Sequence, residues 1–252
     1  MAGSATGGAV AEAGKRGRGQ PDGGYRRTGL GAPRTWENRF MRWLRMRPME
    51  KLAREPLPPG QFWGRRFVIY AALGIPKVDI GAWRLRVTGL VKAPLEYTYE
   101  ELNGLPTVTE IRSAHCVTKW SIERPQWEGV SMRLLAERAQ VAPEATWVMF
   151  HCVDGYTAPV PVEDALAEGS IVALKMNGSP LIPQQGFPAR PFMPHLYLWK
   201  SAKWLEEVEF IDEYRDGYWE AYGYHERGNV AGEERFKGEG YRPVPRRAFG
   251  TA

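Results

Sequence analysis

Ala114-His115-Cys116-Val117-Thr118-Lys119-Trp120-Ser121 is followed, about seventy residues later, by Gln185-Gly186-Phe187-Pro188-Ala189-Arg190 and then by Lys200-Ser201-Ala202-Lys203-Trp204. A thiolate is a soft, strongly donating ligand suited to transition metals. Arginine makes bidentate, charge-assisted bonds to phosphate and lysine supplies a point charge. Backbone amides around Ser201-Ala202 can complete an anion cradle. One soft donor ahead of a distant set of anion-binding groups suits a metal carried on an anionic organic cofactor. Taken singly, each residue is ordinary, since free cysteine is mostly a small buried hydrophobe. The information lies in the set: Cys116, with Arg65, Arg66, Gln185, Arg190, His195, Lys200, Ser201 and Lys203 on segments read as loops.

The rest of the chain bounds what that set can belong to. Its 252 residues allow one large domain or two small ones, and 43% hydrophobic with 25% charged residues is a globular composition. Ten Trp and 20 Pro favour a strand- and loop-rich body over a helical bundle. The net charge of +5 permits an acidic or nucleic-acid partner without requiring one. Two cysteines in a chain of this length fit a reduced, cytoplasmic protein. No stretch approaches the roughly 20 apolar residues of a membrane span. Arg26-Arg27 resembles a twin-arginine signal, but an arginine-studded segment follows it instead of an apolar run.

Residues 1–34 are rich in Gly, Ala and Arg without apolar periodicity and are expected to be a disordered basic tail. Residues 35–56 are expected to hold a short amphipathic helix and a linker. Trp36, Phe40, Trp43 and Leu44 recur at helical spacing, Thr35 can cap the helix and Pro48 stops it. Residues 57–252 form the expected folded domain. Strand patterns are read at Phe67–Tyr70, Trp83–Val91, Thr107–Arg112, Thr146–Cys152, Ile171–Met176, Arg190–Tyr197 and Leu205–Phe210. Helices are read at Tyr99–Leu105, Val130–Glu137 and Val162–Leu166, and Asn177-Gly178 is hairpin turn chemistry. Short strands mixed with single helices indicate the α+β class.

Other chemistries find no support. The four His are scattered and neither Cys has a close partner, unlike a structural zinc site. The chain contains no G-x-S-x-G elbow, P-loop or dinucleotide fingerprint. What it does contain, in order, is H-C-V-T-x-W-S from His115, D-G-Y-T-x-x-x-P from Asp154, N-G-x-P-L from Asn177, G-x-P-x-R ending at Arg190, and P-H-L-Y-x-W-K-S-A-K-W from Pro194. This series, between about Pro59 and Tyr241, resembles the sulfite oxidase-type molybdenum-cofactor domain. It is most similar to the small bacterial sulfite oxidase-like oxidoreductases related to the methionine-sulfoxide reductase catalytic subunit.

The resemblance implies an α+β fold with mixed sheets and short helices, and molybdenum on molybdopterin as cofactor. It implies that Cys116 ligates the metal and that Tyr156 stands at the catalytic centre. Arg190 would hold the pterin, and Ser201, Ala202 and Lys203 would hold its phosphate. Arg65, Val68 and Ile69 fall where the family's amino-terminal loop touches the pterin. Cys152 and Gln185 fall near other cofactor contacts, and His115, His195 and Lys200 join the expected cofactor set. One departure bears on substrate. Where sulfite oxidases place arginines after the metal cysteine, this chain has Thr118-Lys119-Trp120. The expectation is therefore oxo transfer on a small S- or N-oxide, with electrons exchanged with a separate partner. The alternatives are sulfite oxidation at the same site, a non-catalytic cofactor-binding protein, and a nucleic-acid binder that uses the basic tail.

Overall fold

The computed structural model describes residues 55–238. The expected tail, nearly all of the expected helix and linker, and residues 239–252 of the expected domain lie outside the described residues. Three sheets organise the described chain. The first joins β1 (Phe62–Trp63), β6 (Trp120–Ile122) and β5 (Ala114–His115), with β1 parallel to β6. The second runs β11 (Ser179–Pro180), β10 (Ile171–Met176), β7 (Gln126–Ser131), β4 (Thr107–Ile111), and β12 (Arg190–Phe192) also pairs with β10. The third runs β3 (Leu95–Tyr97), β2 (Leu85–Gly89), β13 (Leu205–Ile211), β8 (Trp147–Cys152), β9 (Thr157–Pro161). Its β13–β2 pair is parallel, so the architecture is mixed α+β, as expected.

Alternation places the residues. In β2, Leu85 and Val87 are fully buried, while Arg86 and Thr88 face outward and bond the two oxygens of Glu207 at 2.8 and 2.5 Å. The inward faces of β2, β8, β9 and β13 form the main core with α1 (Tyr99–Asn103), α2 (Met132–Ala139) and α3 (Val162–Ala165). α1 starts on a capping box. Thr98 Oγ1 accepts from Glu101 N at 3.2 Å and Glu101 Oε2 accepts from Thr98 N at 2.8 Å, which satisfies two otherwise orphaned donors. A second, smaller core stacks Trp127 on Phe192 with ring centroids 4.4 Å apart, directly beneath the arginine-bearing strand β12.

Several expected elements are corrected. Phe67–Tyr70 is irregular and not a strand, because the ladder ends at Trp63 and Val68, Ile69 and Tyr70 are exposed. The helix read from Val130 begins at Met132, since Val130 is a ladder residue of β7 paired with Val172 and Thr107. Only Arg190–Phe192 of the expected Arg190–Tyr197 strand is regular. Strand β9 escaped reading because Pro159 and Pro161 lie in it, and it tolerates them as the edge of its sheet. Asn177 and Gly178 adopt φ of 53° and 76° and close the β10–β11 hairpin as their chemistry demands. Replacing Thr98 with Ala removes one half of the capping box and is expected to lower the unfolding free energy by about 1 kcal/mol, measured by urea titration.

Candidate active site

Cys116 opens the turn of the β5–β6 hairpin. Its N–H donates to the Trp120 carbonyl at 2.9 Å, its carbonyl accepts from Lys119 N at 3.0 Å, and Lys119 takes a positive φ of 78° to close the loop. Segments distant in sequence pin this turn. Gln61 Nε2 donates to the Cys116 carbonyl at 3.1 Å, and Phe62 N donates to Lys119 O at 2.8 Å. Arg235 donates to the Val117 carbonyl from the other end of the described chain. The sulfur itself stays half-buried and free, with Thr118 Oγ1 at 3.1 Å.

The thiol faces a cavity of about 410 Å³, within the size range of small-molecule sites. Of the residues expected from sequence, Cys116, Tyr156, Gln185, Arg190, Ser201, Ala202 and Lys203 line it, as do Val68 and Ile69. The topology explains the meeting. Strand β12 and the turn at Ser201 lie side by side, so Arg190 Nε bonds Ser201 Oγ at 2.9 Å and Arg190 Nη2 bonds the Ser201 carbonyl at 2.7 Å. Arg190 Nη1 reaches back to the Gln185 carbonyl at 2.9 Å. Gly186 holds the approach of the two segments. At φ of 105°, a Cβ there would lie 3.0 Å from Lys203 Cα.

The electrostatics of this end are unbalanced. Arg190 is buried and, among the described residues, forms no ion pair; burial lowers its guanidinium to about 10. Lys203 donates to the Tyr70 carbonyl at 2.6 Å and also forms no ion pair among the described residues. Burial lowers Lys203 to about 8, repulsion from Arg190 adds to that, and Asp154 offsets part of it. A buried and a half-buried cation side by side, with no ion pair among the described residues, form a site for an anion. A soft sulfur donor opens on the same cavity. Those two features are what a metal on a phosphate-bearing organic group requires.

The remaining expected residues are placed elsewhere. Lys200 is fully buried and bonded to Glu220 Oε1 at 2.6 Å, to Pro159 O at 2.7 Å and to Glu226 O, so its ammonium is not offered to the cavity. His195 bonds Asp164 at 2.9 Å, which Arg227 also holds at 2.9 Å, away from the cavity lining. His115 is buried against Ser121 Oγ at 2.8 Å, and burial lowers its imidazole; it braces the hairpin. Cys152 is buried outside the lining, with burial pushing its thiol well up. Arg65 is exposed and does not line the cavity. Tyr156 does line it, but its hydroxyl donates to the Trp199 carbonyl at 2.6 Å, so that proton is already engaged.

Sequence reasoning passed over the aromatic wall. Trp120, Trp127, Trp199, Trp204, Trp219 and Tyr224 all line the cavity. Burial raises the Tyr224 phenol, and repulsion from Cys116 and Tyr70 adds to it, which places Tyr224 at the thiol end. Asp154, the first residue of the D-G-Y-T motif, also lines the cavity, accepts from Tyr156 N at 3.1 Å and is raised by burial.

Comparison with known proteins agrees with this geometry. The model of the oxidoreductase molybdopterin binding domain matches residues 72–219. The uncharacterized oxidoreductase YuiH of Bacillus subtilis is 40% identical over 181 residues, which cover 71% of this chain and 91% of that protein. The protein-methionine-sulfoxide reductase catalytic subunit MsrP of Campylobacter jejuni is 28% identical over 166 residues, covering 59% of this chain and 56% of its own. Among solved structures, the sulfane dehydrogenase SoxCD of Paracoccus pantotrophus superposes with a TM-score of 0.51 at 23% identity, over 56% of this chain and 41% of that one, a likeness of fold. A thiol and two uncompensated cations on one cavity, in a chain so matched, are accounted for together: the chain belongs to the oxidoreductase molybdopterin binding domain family and is a molybdenum-cofactor oxidoreductase on a sulfite oxidase-type fold.

Proposed function

We propose that the enzyme reduces a small, neutral S- or N-oxide. For a sulfoxide the balance is R₂S=O + 2H⁺ + 2e⁻ → R₂S + H₂O, with the electrons delivered by a separate donor protein. The observation that carries the reading is the pair of uncompensated cations, Arg190 and Lys203, opening on the cavity that Cys116 faces. Arg190, Lys203 and the Ser201-Ala202 turn would hold the cofactor's phosphate, and Val68, Ile69 and Gln185 would flank the pterin. Cys116 Sγ would ligate the metal. When bound, molybdenum on molybdopterin supplies oxygen-atom transfer coupled to electron exchange.

The thiol end of the cavity supports the choice of substrate. Thr118, and not an arginine, contacts the sulfur, and Lys119 does not line the cavity. The walls there are Trp199, Trp219 and Tyr224, which suit an apolar substituent beside an oxide oxygen and do not compensate a dianion. Similarity to a protein-methionine-sulfoxide reductase catalytic subunit favours sulfoxides within this class. Tyr156 acts as a wall residue whose hydroxyl fixes the Trp199 backbone. Both thiols are free, which supports placement in a reducing, cytoplasmic compartment. None of the described helices is long and apolar enough to cross a membrane.

Three outcomes are expected. With a viologen donor, purified enzyme should reduce dimethyl sulfoxide or trimethylamine N-oxide with a higher kcat/KM than it oxidises sulfite with ferricyanide; the opposite order would refute the substrate assignment. Cys116→Ser should keep its pterin and lose turnover, because a hydroxyl is a poor soft-metal donor. An Arg190→Ala/Lys203→Ala variant should purify without pterin, since each removes charge-assisted bonds on the order of 1.5–3 kcal/mol.

Lys203 also gives a pH signature. Below pH about 8 the cofactor-free protein carries its charge and holds the anion, so pterin affinity should fall as pH rises past about 8. The stability of the cofactor-free fold should move oppositely. Between about 8 and the ordinary 10.5 the unfolded chain binds a proton that the native one lacks, so unfolding free energy rises with pH. Lys203→Met should flatten both curves, as read by pterin titration and by urea melts of cofactor-free protein.

A further inference from the structure

Trp199, Trp219 and Tyr224, which form the aromatic wall at the thiol end, come from two irregular segments and from no strand. What fixes them is one buried carboxylate. Glu220 lies in the short 3-10 turn Glu220–Tyr222, immediately after Trp219, and is 1% exposed. Its Oε1 accepts from Trp199 Nε1 at 2.9 Å and from Lys200 Nζ at 2.6 Å. Lys200 uses its other protons on the Pro159 and Glu226 carbonyls. A single oxygen therefore ties the segment bearing Trp219 to the segment bearing Trp199. The rings then lock on one another. Tyr224 packs on Trp219 at 4.9 Å and on Trp199 at 5.3 Å, and Trp199 stacks on Tyr197 at 5.2 Å. The absence of a side chain at Gly228 makes room for the indole, since a Cβ there would lie 2.6 Å from it.

Stability alone does not account for this arrangement. A fully buried ion pair gains little over apolar residues of the same volume, because two charges must be taken out of water. Here the second oxygen, Glu220 Oε2, has no hydrogen-bond partner either. What the pair does uniquely is orient the carboxylate so that Oε1 meets the indole N–H. Arg190 and Lys203 bond other partners, so Glu220 bears on the aromatic wall and not directly on either cation. We propose that Glu220, oriented by Lys200, is a positioning residue that sets the aromatic wall through Trp199 and so determines how large an oxide reaches Cys116. This rests on the function proposed above for the substrate, and on the structure alone for the wall.

Glu220→Gln by itself strands the Lys200 ammonium in the interior and invites misfolding, so paired variants carry the test. Lys200→Met/Glu220→Gln removes the charges and keeps an oxygen acceptor for Trp199. Lys200→Met/Glu220→Leu removes the acceptor as well. Pterin content, near-ultraviolet circular dichroism and kcat/KM for dimethyl sulfoxide and dibenzyl sulfoxide are compared in each. The Leu pair should retain wild-type pterin, lose aromatic dichroism and shift the dibenzyl-to-dimethyl ratio by about tenfold, mostly through KM, a change of the size pocket contacts confer. The Gln pair should keep the wild-type ratio and spectrum. Unchanged dichroism and ratio in the Leu pair, or an equal loss in the Gln pair, would overturn the proposal. If the wild type reduces neither sulfoxide, the substrate reading fails, and the dichroism of the two pairs still decides whether Glu220 sets the wall.

Discussion

Arg190 is a guanidinium buried without a counter-ion among the described residues, and much of the site follows from how the protein tolerates it. Bonds to Ser201 and to the Gln185 carbonyl hold its plane, and the face of Trp127 lies 5.7 Å away. None of these neutralises the charge, and Lys203 beside it adds a second. Each tie also joins two segments: β12 to the Ser201 turn, and the Gln185 turn to β12. The same bonds that keep the arginine inside therefore build a cavity wall suited to an anion. A protein that leaves such charge uncompensated stabilises the cofactor-free state poorly and the loaded state well.

The thiol is held by a different strategy. Cys116 lies on a tight turn whose geometry depends on Gln61 and Phe62 from one end of the described chain and Arg235 from the other. The two ends of the described chain thus converge on Cys116. Arg190 is held by partners near it in sequence, whereas Lys203 and the thiol turn are held by long-range contacts. At the aromatic wall, Glu220 Oε1 accepts from both Trp199 Nε1 and Lys200 Nζ. The three parts also touch: Arg235 packs on Tyr197, which stacks on Trp199, and Tyr70 accepts from Lys203 while its ring packs on Trp219.

Legibility in the sequence followed this division. Cys116, Arg190, Ser201, Ala202, Lys203 and Gln185 are legible as a set because ordered motifs carry them, and all of them line the cavity. In sequence the first lysine of W-K-S-A-K-W looks like the second; only burial against Glu220, twenty residues away, sets Lys200 off the cavity lining and apart from Lys203. His195 and His115 were drawn in by proximity in sequence to true cavity residues, while their ring nitrogens are taken by Asp164 and Ser121. Trp199, Trp219 and Tyr224 were invisible for a physical reason. A tryptophan on a cavity wall and one in a core have the same pattern until the fold decides what faces them. In the fold, alternation revealed β2, whereas β9 was hidden by prolines that only an edge strand accepts.

The claim on which the rest depends is that Cys116 ligates molybdenum whose organic carrier is held by Arg190 and Lys203. X-ray absorption at the molybdenum edge, on purified wild type and Cys116→Ser with matched metal and pterin content, tests it most directly. The account predicts that the variant loses a sulfur from the metal's first coordination sphere while the remaining sulfur scattering persists. Identical spectra from the two proteins, or wild-type protein that contains no molybdenum when produced in cells that make the cofactor, would contradict it.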